Sequence, residues 1–114
     1  MQQETPLTQR IYDFYRILHG IIEKMPKKDR YSIGLKLDTG TLDLLELTIM
    51  ASSSPTTLKL DILTKASAKT DLLKLLARLL YDTKAIDRKK YLELEEHLQE
   101  IGKMIGGWMK SLKQ

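Results

Sequence analysis

Apolar residues recur at intervals of three and four along almost the whole chain, and the pattern is broken at only three places. Pro26 lies in Lys24-Met25-Pro26-Lys27-Lys28, and Pro55 in Ser52-Ser53-Ser54-Pro55-Thr56-Thr57. The third break is Asp82-Thr83-Lys84-Ala85-Ile86-Asp87. Three-and-four spacing lines one face of a helix, whereas a half-buried strand needs strict alternation. The pattern therefore predicts four helices and no strands, over residues 6–25, 29–51, 57–81 and 87–112. Such helices are about 30–38 Å long at 1.5 Å per residue. Short connections between amphipathic helices of similar length fold each back along its predecessor. The expected fold is all-α, an antiparallel up-down-up-down four-helix bundle. A chain of 114 residues fits one such domain, 1–114, and leaves no room for a second.

The first predicted helix carries Leu7, Ile11, Phe14, Tyr15, Leu18, Ile21, Ile22 and Met25 on one seam, with Thr5 as N-cap ahead of Pro6. The fourth carries Tyr91, Leu94, Leu98, Ile101, Ile105, Trp108 and Leu112. Asp87 is its expected N-cap, with Ile86 and Tyr91 spaced for a hydrophobic staple. The third has Leu58, Ile62, Ala66, Leu73, Leu76 and Leu80 on one face with Lys69 among them. The second helix differs, having two apolar stripes roughly 200° apart on a wheel of about 100° per residue. Tyr31, Leu35, Leu42, Leu45 and Ile49 form one, and Ile33, Leu37, Leu44 and Leu47 the other. A helix at the edge of a monomeric bundle needs only one. The second stripe, Ile33, Leu37, Leu44 and Leu47, is therefore expected to be an oligomer interface; the alternative is that this helix is simply the most buried. Asp38 and Lys69 come to similar heights in an antiparallel hairpin. Either they pair, or Lys69 extends to solvent along its methylene stem. Gly34 and Gly40 argue against a fully regular second helix. Gly102 and Gly106, four apart in the fourth, suggest close approach of a neighbouring backbone. The polar stretch Met1–Glu4 is expected to fray.

Nothing in the sequence assembles a catalytic constellation. Cysteine is absent, which removes thiol chemistry and Cys-ligated metals. No phosphate-cradling glycine loop, nucleophile elbow or His-Glu-x-x-His occurs. The two histidines, His19 and His97, have Arg16 and Leu94 three residues before them, so neither fits a di-iron pattern. Glu93 and His97 share a helix face that is more simply a solvated one. No enzyme activity, metal or cofactor is expected. Residues Met1 to Gln9 lack the pattern of a signal peptide, and no apolar run reaches the roughly 18 residues of a membrane span. A cytoplasmic location without a membrane partner is the expectation.

Lys and Arg number 19 against 15 Asp and Glu, and the position of the excess matters more than its size. In an up-down-up-down bundle the first and third connections lie at the same end. That end would collect Lys24, Lys27, Lys28 and Arg30 with Lys84, Arg88, Lys89 and Lys90. The opposing acids are Glu23, Asp29, Asp82 and Asp87, of which Asp29 and Asp87 are expected to serve helix N-termini. Such an end would bind phosphate backbone with little sequence preference and strong salt dependence.

Three segments stand out: Pro26-Lys27-Lys28-Asp29-Arg30-Tyr31-Ser32, Leu72-Leu73-Lys74-Leu75-Leu76-Ala77-Arg78-Leu79-Leu80, and Glu100-Ile101-Gly102-Lys103-Met104-Ile105-Gly106-Gly107-Trp108-Met109-Lys110. Together they resemble the accessory variability determinant (Avd) family of diversity-generating retroelements. The Ile-Gly-basic-x-x-Gly-Gly-Trp run is the most specific. The resemblance implies a non-catalytic basic bundle assembling as a homopentamer. It further implies association with the retroelement reverse transcriptase and with template RNA or cDNA in mutagenic retrohoming. By the same resemblance Lys27, Lys28, Arg30, Arg78, Lys103 and Lys110 are candidate nucleic-acid contacts. Where Lys103 stands the family often has arginine, whose planar fork lysine lacks. A related group, the bundle proteins encoded in intervening sequences of ribosomal RNA genes, offers the alternative of an oligomeric structural and interaction module. Its Ser-Ile-x-x-Asn-Ile-Ala-Glu-Gly-like motif is missing from residues Leu42 to Ala51.

Overall fold

The computed structural model describes residues 5–113; the expectation for Met1–Glu4 lies outside them. Four long helices and a single extra turn follow in chain order: α1 (Pro6–Glu23), α2 (Lys27–Arg30), α3 (Ile33–Ser53), α4 (Thr56–Asp82) and α5 (Arg88–Leu112). No strand occurs among the described residues. The molecule measures 44 × 28 × 20 Å, close to the length of its longest helices.

Neighbouring helices run antiparallel, as residue pairs along each seam show. Thr8 Oγ1 lies 3.2 Å from Thr48 Oγ1 between α1 and α3. Lys59 Nζ donates to Ala51 O at one end of the α3–α4 seam, and Lys69 meets Asp43 further along it. Along α4–α5, Lys59 lies over Trp108 while Tyr81 stacks on Tyr91. Phe14 against His97 closes the ring between α1 and α5. The bundle is therefore up-down-up-down. The core holds Ile11, Phe14 and Leu18 of α1, Leu37 and Leu44 of α3, Ala66, Leu73 and Leu80 of α4, and Leu94, Leu98, Ile101 and Ile105 of α5.

Local signals set the helix starts. The Thr5 hydroxyl accepts the Thr8 N–H at 3.1 Å, and the Asp87 carboxylate accepts the Lys90 N–H at 2.9 Å. Ile86 is buried one position ahead, where a staple residue belongs. Asp29 does not act as a cap; it lies inside α2, whose cap position is Pro26.

The second predicted helix is split. Residues 27–30 make a separate turn, and Ser32 (φ −117°, ψ −97°) leaves helical geometry before α3 begins. The Ser32 hydroxyl donates to Lys28 O at 2.8 Å, and Arg30 Nη2 donates to Met25 O at 3.1 Å, so side chains tie up the carbonyls of the bend. Gly34 makes this packing possible. A methyl group there would sit 3.0 Å from Asp29 O and from Met25 Cε. Gly40 plays a similar part against α4, where an added Cβ would lie 2.9 Å from Leu73 Cδ2.

The expected interface stripe is corrected by the packing. Leu37 and Leu44 are fully buried within the subunit, and Ile33 and Leu47 are half-buried against the same core. The outward stripe is instead Tyr31, Leu35, Leu42 and Ile49, with Leu35 48% and Ile49 54% exposed. The buried face also carries Gly34, Gly40, Thr41, Thr48 and Ala51. These small residues let α3 sit close to its neighbours, which the larger outer stripe does not allow. On α4 the buried face is rotated from the expected one. Leu63, Ala66, Thr70, Leu73, Ala77 and Leu80 point inward, while Leu58 is exposed.

The Asp38–Lys69 pair does not form. Lys69 reaches Asp43, at 3.7 Å, while Asp38 faces Tyr15 of α1. Glycines 106 and 107 support no close approach within the subunit, since a Cβ on either would meet nothing within 4 Å. Gly102 lies against side chains of α4 rather than its backbone, the Lys74 ammonium 3.3 Å and Thr70 Cγ2 3.9 Å from where its Cβ would be.

Candidate nucleic-acid interface

The antiparallel order brings the C-termini of α1 and α4 and the N-termini of α3 and α5 to one pole. Segments 23–30 and 82–90 meet there, with eight cations against four carboxylates, a net of +4. This equals the formal charge of the whole chain, +4, so the remaining residues balance. The excess positive charge is concentrated at one end.

Lys24, Lys27, Lys28, Lys84, Arg88 and Lys89 are exposed, and Lys90 is half-buried. Arg30 is also half-buried and is partly committed by its bond to Met25 O, so it holds the α2 bend as much as it adds charge. Arg78, just inside the pole, pairs with Asp82 at 3.7 Å. Lys103 and Lys110 are exposed, but they lie 13 and 20 residues beyond Lys90 along α5. At 1.5 Å per residue that is about 20 and 30 Å from the pole. They form no continuous patch with it.

Three features of the pole and its opposite end were not read from the sequence. The first is Lys84, which has φ 65°, in the left-handed region. It closes α4 with the bonds Ala85 N–H to Leu80 O (2.8 Å) and Lys84 N–H to Tyr81 O (3.0 Å). These are the two bonds of a Schellman ending, in which glycine is the usual left-handed residue. The second is the Tyr81–Tyr91 pair, with ring centroids 4.9 Å apart and planes 12° from parallel. Burial pushes the Tyr91 phenol above its ordinary pKa of 10.0; Glu95 adds to the rise and Arg78 opposes it. The third is Lys59 at the opposite end, whose ammonium caps the C-terminal carbonyls of α3 at Ala51 (2.6 Å) and Ser52 (3.3 Å). A lysine eight residues beyond the carbonyl it caps, in the next helix, gives no local spacing signal.

Among the described residues no group of three or more His, Cys, Asp or Glu is placed to hold a metal ion. None of the described helices is long and apolar enough to cross a membrane. A protein-family model described as bAvd-like matches residues 6–112. The chain belongs to the bAvd-like family. Membership covers α1 through α5 and points to the accessory proteins of diversity-generating retroelements. No curated protein matches the chain.

Proposed function

We propose that this bAvd-like protein is an oligomeric accessory subunit that docks nucleic acid on its basic pole and joins it to the retroelement reverse transcriptase. The observation that carries the reading is the concentration of the net charge in segments 23–30 and 82–90. Phosphates attract such a surface without regard to sequence, and each neutralised phosphate releases condensed counterions. Self-association would multiply the pole by the subunit number, turning modest contacts into avid ones. The pentameric count and the reverse transcriptase as partner rest on the family resemblance alone.

The direct test reverses the charge of Lys27, Lys28, Lys89 and Lys90 to Glu. The positions suit the change, because Arg88 opens α5 and acidic residues are favoured in a first helical turn. A Glu at position 90 can also complete a capping box with Asp87. The variant should keep its circular dichroism and melting temperature while losing RNA and DNA binding at low salt by well over tenfold. The unmodified chain should lose affinity steeply as salt rises. Binding that survives molar salt would overturn the electrostatic reading. Co-purification with a co-expressed reverse transcriptase and its template RNA tests the partner separately.

The outward stripe of α3 favours a second reading, an assembly module whose charge is incidental. Tyr31, Leu35, Leu42 and Ile49 are exposed, as are Leu72, Leu75 and Leu79 of α4, and Tyr31 and Leu35 line a cleft with Leu76 of α4. Exposed large apolar side chains gathered in this way mark an interaction face. The two readings separate on a low-salt column: a pure assembly module forms the oligomer but retains no RNA.

A further inference from the structure

We infer that the α4–α5 turn binds single-stranded rather than duplex nucleic acid, with an unpaired base resting on the Tyr81–Tyr91 stack and adjacent phosphates held by Lys84, Arg88 and Lys90. The inference rests on the proposed polyanion dock and names the form of strand it takes.

Two tyrosines stacked at 4.9 Å and 12° form an aromatic platform where the bundle's positive charge is concentrated. Tyr91 is half-buried and packed against the core, so it anchors the pair, whereas Tyr81 is 37% exposed. The turn then fixes a cation beside this platform. The Lys84 N–H donates to the Tyr81 carbonyl at 3.0 Å, so the Tyr81 backbone and the lysine are tied within one Schellman ending. Keeping a lysine in a left-handed position (φ 65°), where glycine fits without steric cost, favours a use for its side chain over a merely structural turn. Arg88 and Lys90, in the first turn of α5, add charge next to Tyr91.

An aromatic face beside cations is the combination that holds single strands. Every base has a π-face, so stacking tolerates any sequence, while cations follow the backbone. A duplex keeps its bases stacked on one another and offers a protruding tyrosine only phosphates. Tyr81 lies on the α5 side of α4, where it meets Tyr91, and Leu75, Arg78 and Glu95 line the groove beside Tyr91.

The test measures binding of the full chain to a fluorescent single-stranded RNA, to the same sequence as a duplex, and to a single strand with an abasic position. Tyr81→Ala should weaken single-strand binding between about five- and a hundredfold, the range for loss of one stacked base. It should leave duplex binding and the melting temperature nearly unchanged, and Tyr81→Phe should retain most of the affinity. An iodouracil-substituted strand should photocrosslink at Tyr81 or Tyr91, a readout that a purely structural tyrosine pair would not give. Equal affinity for strand and duplex, or indifference to Tyr81→Ala, overturns this inference and leaves the polyanion dock standing. Loss of reverse transcriptase capture in Tyr81→Ala with unchanged strand affinity also overturns it, and reassigns the platform to protein contact. No binding of either form at low salt overturns the dock itself and the inference with it.

Discussion

Asp38 lies in the Tyr31/Leu42 stripe of α3, which the bundle turns outward, yet it faces α1. Its Oδ1 is buried without a hydrogen-bond partner, and the carboxylate faces the Tyr15 phenol. The Asp38 carboxylate, placed to accept the phenol proton, then burial, then the carboxylate's negative charge hold the Tyr15 pKa above 10.0. A raised phenol pKa means the folded chain keeps a proton that the unfolded chain would release. The stability this contributes is complete below pH 10.0 and is lost as pH climbs through the higher folded value. Asp38→Asn removes the charge, and Tyr15 should then ionise closer to pH 10.0, visible as an earlier rise in phenolate absorbance. An unchanged titration curve would show that Asp38 does not control the phenol. Sequence spacing placed Asp38 and Lys69 at similar heights, but pairing depends on direction as well as height. Asp38 lies on the α1 side of α3, whereas Asp43 lies on the α4 side, where Lys69 can reach it.

Each helix ends by its own local chemistry, and α4 ends at a cost. A non-glycine residue in left-handed geometry costs about 1–2 kcal/mol, and glycine recovers that less its own larger entropy loss on folding. Lys84→Gly should therefore stabilise the chain by roughly 0.5–1 kcal/mol in urea unfolding while weakening its salt-sensitive RNA binding. A destabilised variant would mean that the lysine makes favourable contacts in the folded chain. The glycines give the same lesson in reverse. By propensity all of them weaken helices. Gly34 and Gly40 lie where a neighbouring backbone or side chain presses on the helix, while Gly106 and Gly107 face open space. Sequence spacing favoured the Gly102/Gly106 pair because a four-residue interval resembles a packing stripe. Whether a partner helix lies opposite is not written in that interval.

The whole molecule presents two kinds of surface, a charged pole and an apolar flank on α3 and α4. Leu35→Glu with Leu42→Glu should leave the isolated bundle folded, since both residues are exposed, and should lower the assembled mass in native mass spectrometry. The same oligomer in this double variant would exclude the outward stripe as its interface. Leu44→Ala should instead cost about 2–5 kcal/mol, the penalty for emptying a fully buried leucine site. Because flank and pole occupy different parts of the bundle, the double variant separates assembly from charge. RNA binding that weakens in step with the mass would mark avidity as part of the affinity.

The sequence by itself determined the four long helices, the three breaks between them and the gathering of two basic connections at one pole, but not the bend at Ser32 that splits α2 from α3. Each follows from relations within a segment or from the antiparallel folding that short loops impose. Only the tertiary structure decided which way the helices face. The angle between two stripes of one helix is fixed by residue spacing, but the helix's rotation about its axis is set by how all four helices pack together. The four-residue set Ile33, Leu37, Leu44 and Leu47 was therefore no less plausible outside than inside until Gly34, Gly40 and Thr41 were found packed on its side. The same unknown rotation hid the direction of Asp38. The Tyr81–Tyr91 stack depends on a register between two helices across a turn, which no period within either helix specifies.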